Sequence, residues 1–153
     1  MLPLQKLYKA FSGVSSRLQD TALLAARLTL AYGFYGPATL KWSDIGSVAQ
    51  WFDSLGIPLP LLNAYMAAST EMLGVILLTL GLLTRLIALP LIVVMLVAIF
   101  TVHIGNGFSC GDNGFEVPFY YLLFLLIFLS HGPGRASLDH YLFGRREAEE
   151  ESR

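Results

Sequence analysis

Two long apolar runs stand almost back to back in the middle of this chain. The first, residues 61–83, contains one ionisable side chain, Glu71, and the second, residues 86–102, contains none. Each run approaches the roughly 20 apolar residues that an α-helix needs to cross a bilayer. The junction between them, around Gly81, Thr84 and Arg85, is too short for anything but a tight turn. We therefore predict an antiparallel pair of membrane-spanning helices with an acid in the middle of one.

Composition places the whole chain in the same class. Hydrophobic residues make up 55% of the 153 positions and charged residues only 14%, against about 25% charge in a typical soluble domain. The net charge of -1 argues against a nucleic-acid partner, which would require a basic surface. A single cysteine, Cys110, excludes an intrachain disulfide. The sequence indicates an integral membrane protein.

We predict one membrane domain over residues 1–143, all-α, arranged as a four-helix bundle. Residues 1–20 are expected to form a short helix on the membrane surface, with Asp20 as the N-cap of the first span. Gly36-Pro37 is expected to kink or end that span. The charged tail, residues 144–153, is expected to be disordered. The predicted spans are residues 21–40, 61–83, 86–102 and 117–130, and a short interfacial helix is expected at residues 47–55.

Basic residues predict the orientation. Eight lysines and arginines fall on the side that carries both termini, and one falls on the other side. Because cytoplasmic segments are enriched in Lys and Arg, both termini are predicted to be cytoplasmic in a multi-pass protein of the bacterial inner membrane. The eight are Lys6, Lys9, Arg17, Arg85, Arg135, Arg145, Arg146 and Arg153, and the single opposite one is Lys41.

Arg27 and Glu71 are the first candidate functional residues, because charge inside a membrane span is costly unless it is paired or used. One hypothesis is a buried site for a proton, a quinone or a small substrate. The other is a structural ion pair between these two side chains that sets the helix register.

A second group of candidates lies on the outer face. His103 and Cys110 are possible ligands for copper or zinc, and Cys110 is also a possible redox thiol. Glu116 and Asp112 are equally suited to capping a helix and forming turns. The group comprises Lys41, His103, Asn106, Cys110, Asp112 and Glu116.

Aromatic residues concentrate toward the outer ends of the first and fourth spans. Such residues are typical of an interfacial belt, and Tyr120 and Tyr121 are also candidates to stack on a quinone ring. The set is Tyr32, Phe34, Tyr35, Phe119, Tyr120 and Tyr121. Known enzyme signatures are absent from the sequence.

Over residues 23–143 the chain resembles the DoxX family of small four-helix membrane proteins. The matching pieces are RLTLAYGFYGPATLKW (27–42), AASTEMLGVILLTLGLLTR (67–85), MLVAIFTVHIGNGF (95–108), GFEVPFYYLLFLLIF (114–128) and GPGRASLDHYLF (132–143). Within the family it is most similar to the branch found beside copper-binding, ribosomally made peptides in bufferin-type gene clusters.

The resemblance implies an accessory subunit of a redox or metal-stress system, with copper homeostasis as one setting. One alternative is a quinone-binding subunit like that of a thiosulfate:quinone oxidoreductase, and another, which does not come from the resemblance, is a small-molecule or lipid transporter. It raises the expectation that Arg27, Glu71, His103 and Glu116 do more than pack. The expected partners are the lipid bilayer, membrane or periplasmic proteins, and a second copy of the chain.

Overall fold

The computed structural model describes residues 3–144 of the chain, and the side chains of residues 18–144. Six α-helices account for most of this range, and no strand occurs within it. They are α1 (Pro3–Ser43), α2 (Ile45–Ser54), α3 (Pro60–Leu80), α4 (Thr84–Ala98), α5 (Glu116–His131) and α6 (Leu138–Leu142). The prediction of an all-α fold is confirmed for the described residues.

The first helix is longer than predicted. α1 runs without a break from Pro3 to Ser43, so Asp20 lies inside a helix and does not cap one. Gly36-Pro37 does not end the helix either. Pro37 lies on an exposed face, while Ala38 beside it is fully buried, and this packing carries the helix one turn further. The side chains of residues 1–17 lie outside the described residues, and so does the tail predicted to be disordered, apart from Gly144.

Short elements follow α1 and α4. Asp44 accepts hydrogen bonds from the backbone N–H and hydroxyl of Ser47 and so caps α2, which matches the short helix predicted near residues 47–55. α4 continues through a π-helical turn, Ile99–His103, and a 3-10 turn, Ile104–Asn106. This extension leads directly into the second loop, residues 103–116.

Within the described residues, two helices meet the length and hydropathy that a membrane span requires. They are Pro60–Leu80 and the combined segment Thr84–Asn106, while Glu116–His131 is apolar but shorter. α3 ends at Leu80 and α4 begins at Thr84, so the end of the first run lies three residues earlier than predicted and the start of the second lies two residues earlier. The antiparallel pair expected from the sequence is therefore present as α3 and α4.

The core lies where the long helices pack against one another. α1 packs on α3 and α5, α4 packs on α3 and α5, and α2 covers the start of α3. Small residues permit close approach: a Cβ on Gly74 would meet Leu91, and one on Gly33 would overlap Tyr121. The core residues buried almost completely are Leu30, Phe34, Leu78, Leu91, Leu125 and Phe128. The buried face of α3 consists mostly of small residues. Its members are Ala64, Ala68, Glu71, Gly74 and Leu78.

Candidate functional site

Glu71 and Lys41 form an ion pair inside the helical core. The Lys41 Nζ donates to both carboxylate oxygens of Glu71, at 3.0 Å from Oε1 and 2.8 Å from Oε2. The Glu71 side chain is 3% exposed and that of Lys41 is 17% exposed. Glu71 lies in the middle of α3, and Lys41 reaches it from the last turn of α1. One ammonium group thus neutralises the acid that the sequence places in an apolar run.

The predicted ion pair between Arg27 and Glu71 is wrong. The guanidinium of Arg27 donates instead to the carbonyl oxygens of Pro133, at 3.2 Å, and Ala136, at 2.8 Å. It also packs so closely on Gly81 that a Cβ there would overlap it. Gly81 lies directly after α3 and follows Glu71 by ten residues. The Arg27 guanidinium, which packs on Gly81, is therefore about 15 Å from Glu71 along the axis of α3.

The C-terminal segment, residues 132–142, holds the α3–α4 turn. Asp139 accepts hydrogen bonds from the backbone N–H groups of Leu83, at 2.7 Å, and Thr84, at 2.9 Å. Its own N–H donates to the carbonyl oxygen of Gly81 at 2.9 Å. The carboxylate therefore caps the start of α4 from a distant part of the chain. The sequence does not predict this role of Asp139, since no local pattern connects a residue near position 139 with a helix start near position 84.

The second loop, residues 103–116, is organised by hydrogen bonds to its own backbone. The carbonyl oxygen of Asn113 lies 2.8 Å from Nδ1 of His103 and accepts from the Asn106 amide at 3.2 Å. The N–H of Cys110 donates to Oε2 of Glu116 at 3.0 Å, and Tyr120 donates to Oε1 at 3.2 Å. The Cys110 N–H and the hydroxyl of Tyr120 hold the pKa of the Glu116 carboxyl below its usual value. Five of the six predicted outer-face residues, all but Lys41, thus fall within one loop and the helix start that follows it.

The loop does not assemble a complete metal-ligand set. No group of three or more His, Cys, Asp or Glu side chains within the described part of the chain is arranged to hold a metal ion. Cys110 is a free, exposed thiol. Lys41, which was predicted for the same outer group, forms an ion pair with Glu71. Copper or zinc binding through His103 and Cys110 stays a prediction.

The predicted aromatic set divides between different surroundings. Tyr121 packs on Gly33 and edge-on against Phe34, with ring centroids 5.3 Å apart. Tyr120 instead joins Phe108 and Phe119 at the loop. Tyr32 on α1 is 82% exposed. Tyr120 and Tyr121 therefore contact different neighbours, and stacking of their rings on a quinone stays a prediction.

The buried charges are thus satisfied within the protein itself. Both oxygens of Glu71 are engaged by Lys41, and Arg27 binds two backbone carbonyls. Among the described residues, the buried side-chain polar atoms without a hydrogen-bond partner are Nε of Arg27 and Oγ1 of Thr84. Chemically, this arrangement neutralises the charge of Glu71 in the core, and the second loop is one exposed polar surface of the described part of the chain.

Comparison with known proteins gives the family but no activity. The family model described as DoxX matches residues 22–104. A Haemophilus influenzae protein is 34% identical over 122 residues, covering 77% of this chain and 81% of the relative. Another from the same organism is 36% identical over 121 residues, covering 76% and 87%. Both carry the name "Uncharacterized protein", and no solved structure matches. The matched range contains Arg27, Lys41, Glu71 and His103.

Proposed function

Because this chain belongs to the DoxX family of membrane proteins, we propose that it is an accessory subunit of a bacterial redox or metal-stress system. Its role is to hold a partner protein at the membrane, and a catalytic centre of its own is not required. The system that handles copper-binding peptides is one setting for this role.

In this proposal, α1, α3, α4 and α5 form a four-helix bundle in the inner membrane, with both termini in the cytoplasm. The lengths of α3 and of Thr84–Asn106 support two of the spans. The distribution of Lys and Arg supports the orientation, with eight on one side and Lys41 on the other. α5 has 16 residues, about 24 Å of helix, so the bilayer adjusts around its ends.

The observation that carries the accessory role is the pairing of Glu71 with Lys41 in the helical core. Both Glu71 oxygens are bound to one ammonium group. A buried, hydrogen-bonded ion pair of this kind contributes mainly to which helices pair and in what register, which is what a scaffold requires.

The second loop is the surface proposed to meet the partner. It is exposed along residues 104–113 and carries Cys110 as a free thiol. In the proposed orientation it faces the periplasm, where disulfide exchange and copper capture take place. Membrane or periplasmic redox proteins are the partners that fit this position.

The test compares wild-type protein in lipid nanodiscs with Glu71→Gln, and uses Asp53→Asn as the matched control. Asp53 undergoes the same chemical change on an exposed surface of α2. We expect Glu71→Gln to lower stability by about 2 kcal/mol, less than the 3–5 of a fully buried broken pair because Lys41 keeps some access to solvent. Asp53→Asn should change stability by no more than about 0.5 kcal/mol. Thermal unfolding, native mass spectrometry and elemental analysis provide the measurements.

Two outcomes would contradict the accessory role. Quinone retained at one per chain in wild type, and lost in Glu71→Gln without a change in melting temperature, would favour the quinone-binding alternative. Copper retained at one per chain, and lost in His103→Ala or Cys110→Ser, would move the function to a metal site in the second loop. The accessory role predicts that neither ligand is retained in stoichiometric amount.

A further inference from the structure

A cavity of about 680 Å³ opens at the end of the molecule that carries the C-terminal segment. Its volume falls within the range of about 300–1,000 Å³ typical of small-molecule sites. It lies between α1, the first turn of α4, the end of α5 and the C-terminal segment. Its charged and ionisable lining comprises Asp20, Arg85, His131, Arg135, Asp139 and His140.

The two carboxylates in this cavity already accept hydrogen bonds from backbone N–H groups of the protein. Both carboxylate oxygens of Asp139 accept backbone N–H groups, from Leu83 and Thr84. Asp139 is also close enough to Arg27 for their charges to interact. Oδ1 of Asp20 accepts the backbone N–H of Arg135 at 2.8 Å. The hydrogen bonds to Asp20 and Asp139, and the charge of Arg27 near Asp139, compensate much of the negative charge of the cavity lining.

The two arginines, by contrast, keep donors to spare. A guanidinium group has five N–H donors, and Arg85 uses one, in a long 3.3 Å bond to the carbonyl oxygen of Ser130. The side chain of Arg135 is exposed and has no hydrogen-bond partner among the described residues. Gly132 makes room for Arg85, since a Cβ there would lie 3.3 Å from its Nε. The cavity therefore presents unused guanidinium donors beside carboxylates that are already bound.

We propose that this cavity binds a phosphate group through Arg85 and Arg135, and that the phosphate is the headgroup of an anionic phospholipid or a free phosphate ion. Arginine is suited to this because its planar fork donates two parallel hydrogen bonds to phosphate oxygens. His131 and His140 supply further polar contacts in the same lining. The site is separate from the Lys41–Glu71 pair and does not rest on the accessory role.

The position of the cavity favours the lipid source. Arg85 lies in the first turn of the apolar segment Thr84–Asn106, and His131 is the last residue of the apolar helix Glu116–His131. Residues at the ends of such helices lie at the depth of lipid headgroups. Phe143, which also lines the cavity, is 49% exposed. Basic pockets at this depth are a recurrent means of binding anionic headgroups.

The experiment measures ligand retention by the purified full-length protein with native mass spectrometry. Wild type, the double variant Arg85→Gln/Arg135→Gln and the single variant Arg135→Gln are exchanged into nanodiscs with phosphatidylglycerol and phosphatidylcholine at equal amounts, then released into detergent. Arg146→Gln/Arg153→Gln is the control, because it removes the same two charges from the C-terminal tail. In a second arm, the lipid-free proteins are titrated with inorganic phosphate against chloride at equal ionic strength, and the melting temperature is recorded.

We expect wild type and the tail control to retain one phosphatidylglycerol in preference to phosphatidylcholine. The double variant should retain at least tenfold less, and Arg135→Gln should lie between them. Arg135→Gln preserves the backbone bond to Asp20, so it tests the site even if the double variant does not fold. Stabilisation by phosphate without lipid retention, lost in the variants, would support the site and identify the free ion as its ligand. Equal retention by the tail control and the Arg135→Gln variant, or no binding of either ligand by wild type, would overturn the proposal.

Discussion

The two buried charged residues in the described part of this protein, Arg27 and Glu71, depend on different kinds of partner. Burial of an isolated carboxylate in an apolar helix costs several kcal/mol, and an ammonium group at hydrogen-bond distance offsets much of that cost. Lys41 performs this for Glu71, at 2.8 Å and 3.0 Å from the two oxygens. Arg27 is compensated in another way, by the carbonyl oxygens of Pro133 and Ala136. The two buried charges therefore serve two different parts of the fold.

Glu116 gives the second loop a dependence on pH. Because the Cys110 N–H holds the pKa of this carboxyl below its usual value of 4.5 in the folded protein, its ionised form favours folding. The contribution is present above the usual pKa and is lost as pH falls through the lowered one. We expect wild type to melt at a higher temperature than Glu116→Gln near pH 7, and this difference to shrink as the pH falls below 4.5.

Asp112→Asn is the control for that measurement. Asp112 is an exposed acid in the same loop, and its side chain has no hydrogen bond among the described residues. Its substitution should give a melting difference that is small at neutral pH. A Glu116→Gln difference that is the same at pH 7 and pH 3.5 would show that the charge of Glu116 does not support the loop.

At the scale of elements, the C-terminal segment is what joins α1 to the α3–α4 turn. Arg27 of α1 binds its carbonyl oxygens, and Asp139 within it caps α4 and binds the carbonyl of Gly81. Asp20 of α1 accepts the N–H of Arg135. The C-terminal segment, whose sequence is typical of a glycine- and proline-rich helix end, thus connects α1, the end of α3 and the start of α4 through hydrogen bonds.

Gly81 is a position where the C-terminal segment and Arg27 pack too closely to leave room for a side chain. Its φ of +65° disfavours a side chain, and a Cβ would overlap the Arg27 guanidinium and approach Ser137. Gly56 has a similar φ of +74° with open space around it. We expect Gly56→Ala to cost about 1 kcal/mol from backbone strain alone, and Gly81→Ala to cost about 1–3 kcal/mol more from the overlap, as measured by denaturant or thermal unfolding.

Equal losses in the two variants would show that Arg27 moves aside at no cost. A second comparison tests the assignment to Arg27. In an Arg27→Met background, the extra cost of Gly81→Ala over Gly56→Ala should shrink, because the guanidinium that meets the new Cβ is gone. An unchanged extra cost would place the clash elsewhere in the turn.

At the scale of the whole molecule, the proposed topology separates two surfaces with different chemistry. The second loop carries Cys110, which is exposed and is the one cysteine of the chain. The opposite end carries the C-terminal segment and the cavity beside Arg85 and Arg135. If both termini are cytoplasmic, Cys110 faces the periplasm.

A labelling experiment tests this orientation with the native cysteine. We expect a membrane-impermeant maleimide to label wild-type protein in intact spheroplasts. The variant Cys110→Ser/Arg146→Cys should be labelled only after the membrane is permeabilised, and Cys110→Ser should not be labelled at all. The reverse pattern, with Arg146→Cys labelled first, would invert the topology and place the second loop in the cytoplasm.

The sequence by itself determined the fold class, the antiparallel α3–α4 pair and the need for Glu71 to be covered. These follow from local patterns: uninterrupted apolar runs, a tight junction between two of them, and one acid on a face of small residues. It did not determine which cation covers Glu71. That choice depends on how far α1 is shifted along α3, and the packing places Arg27 level with Gly81 and brings Lys41 to Glu71.

The role of Asp139 was also decided only by the tertiary structure. Its bonds to Leu83 and Thr84 connect residues more than fifty positions apart, so helical periodicity contains no signal for them. The continuation of α1 past Pro37 likewise reflects packing, with Ala38 fully buried beside it. Local patterns specify which segments are helices and which faces are apolar, whereas the offset between helices arises from side-chain packing along their whole contact. That offset selects the partners of the buried charges.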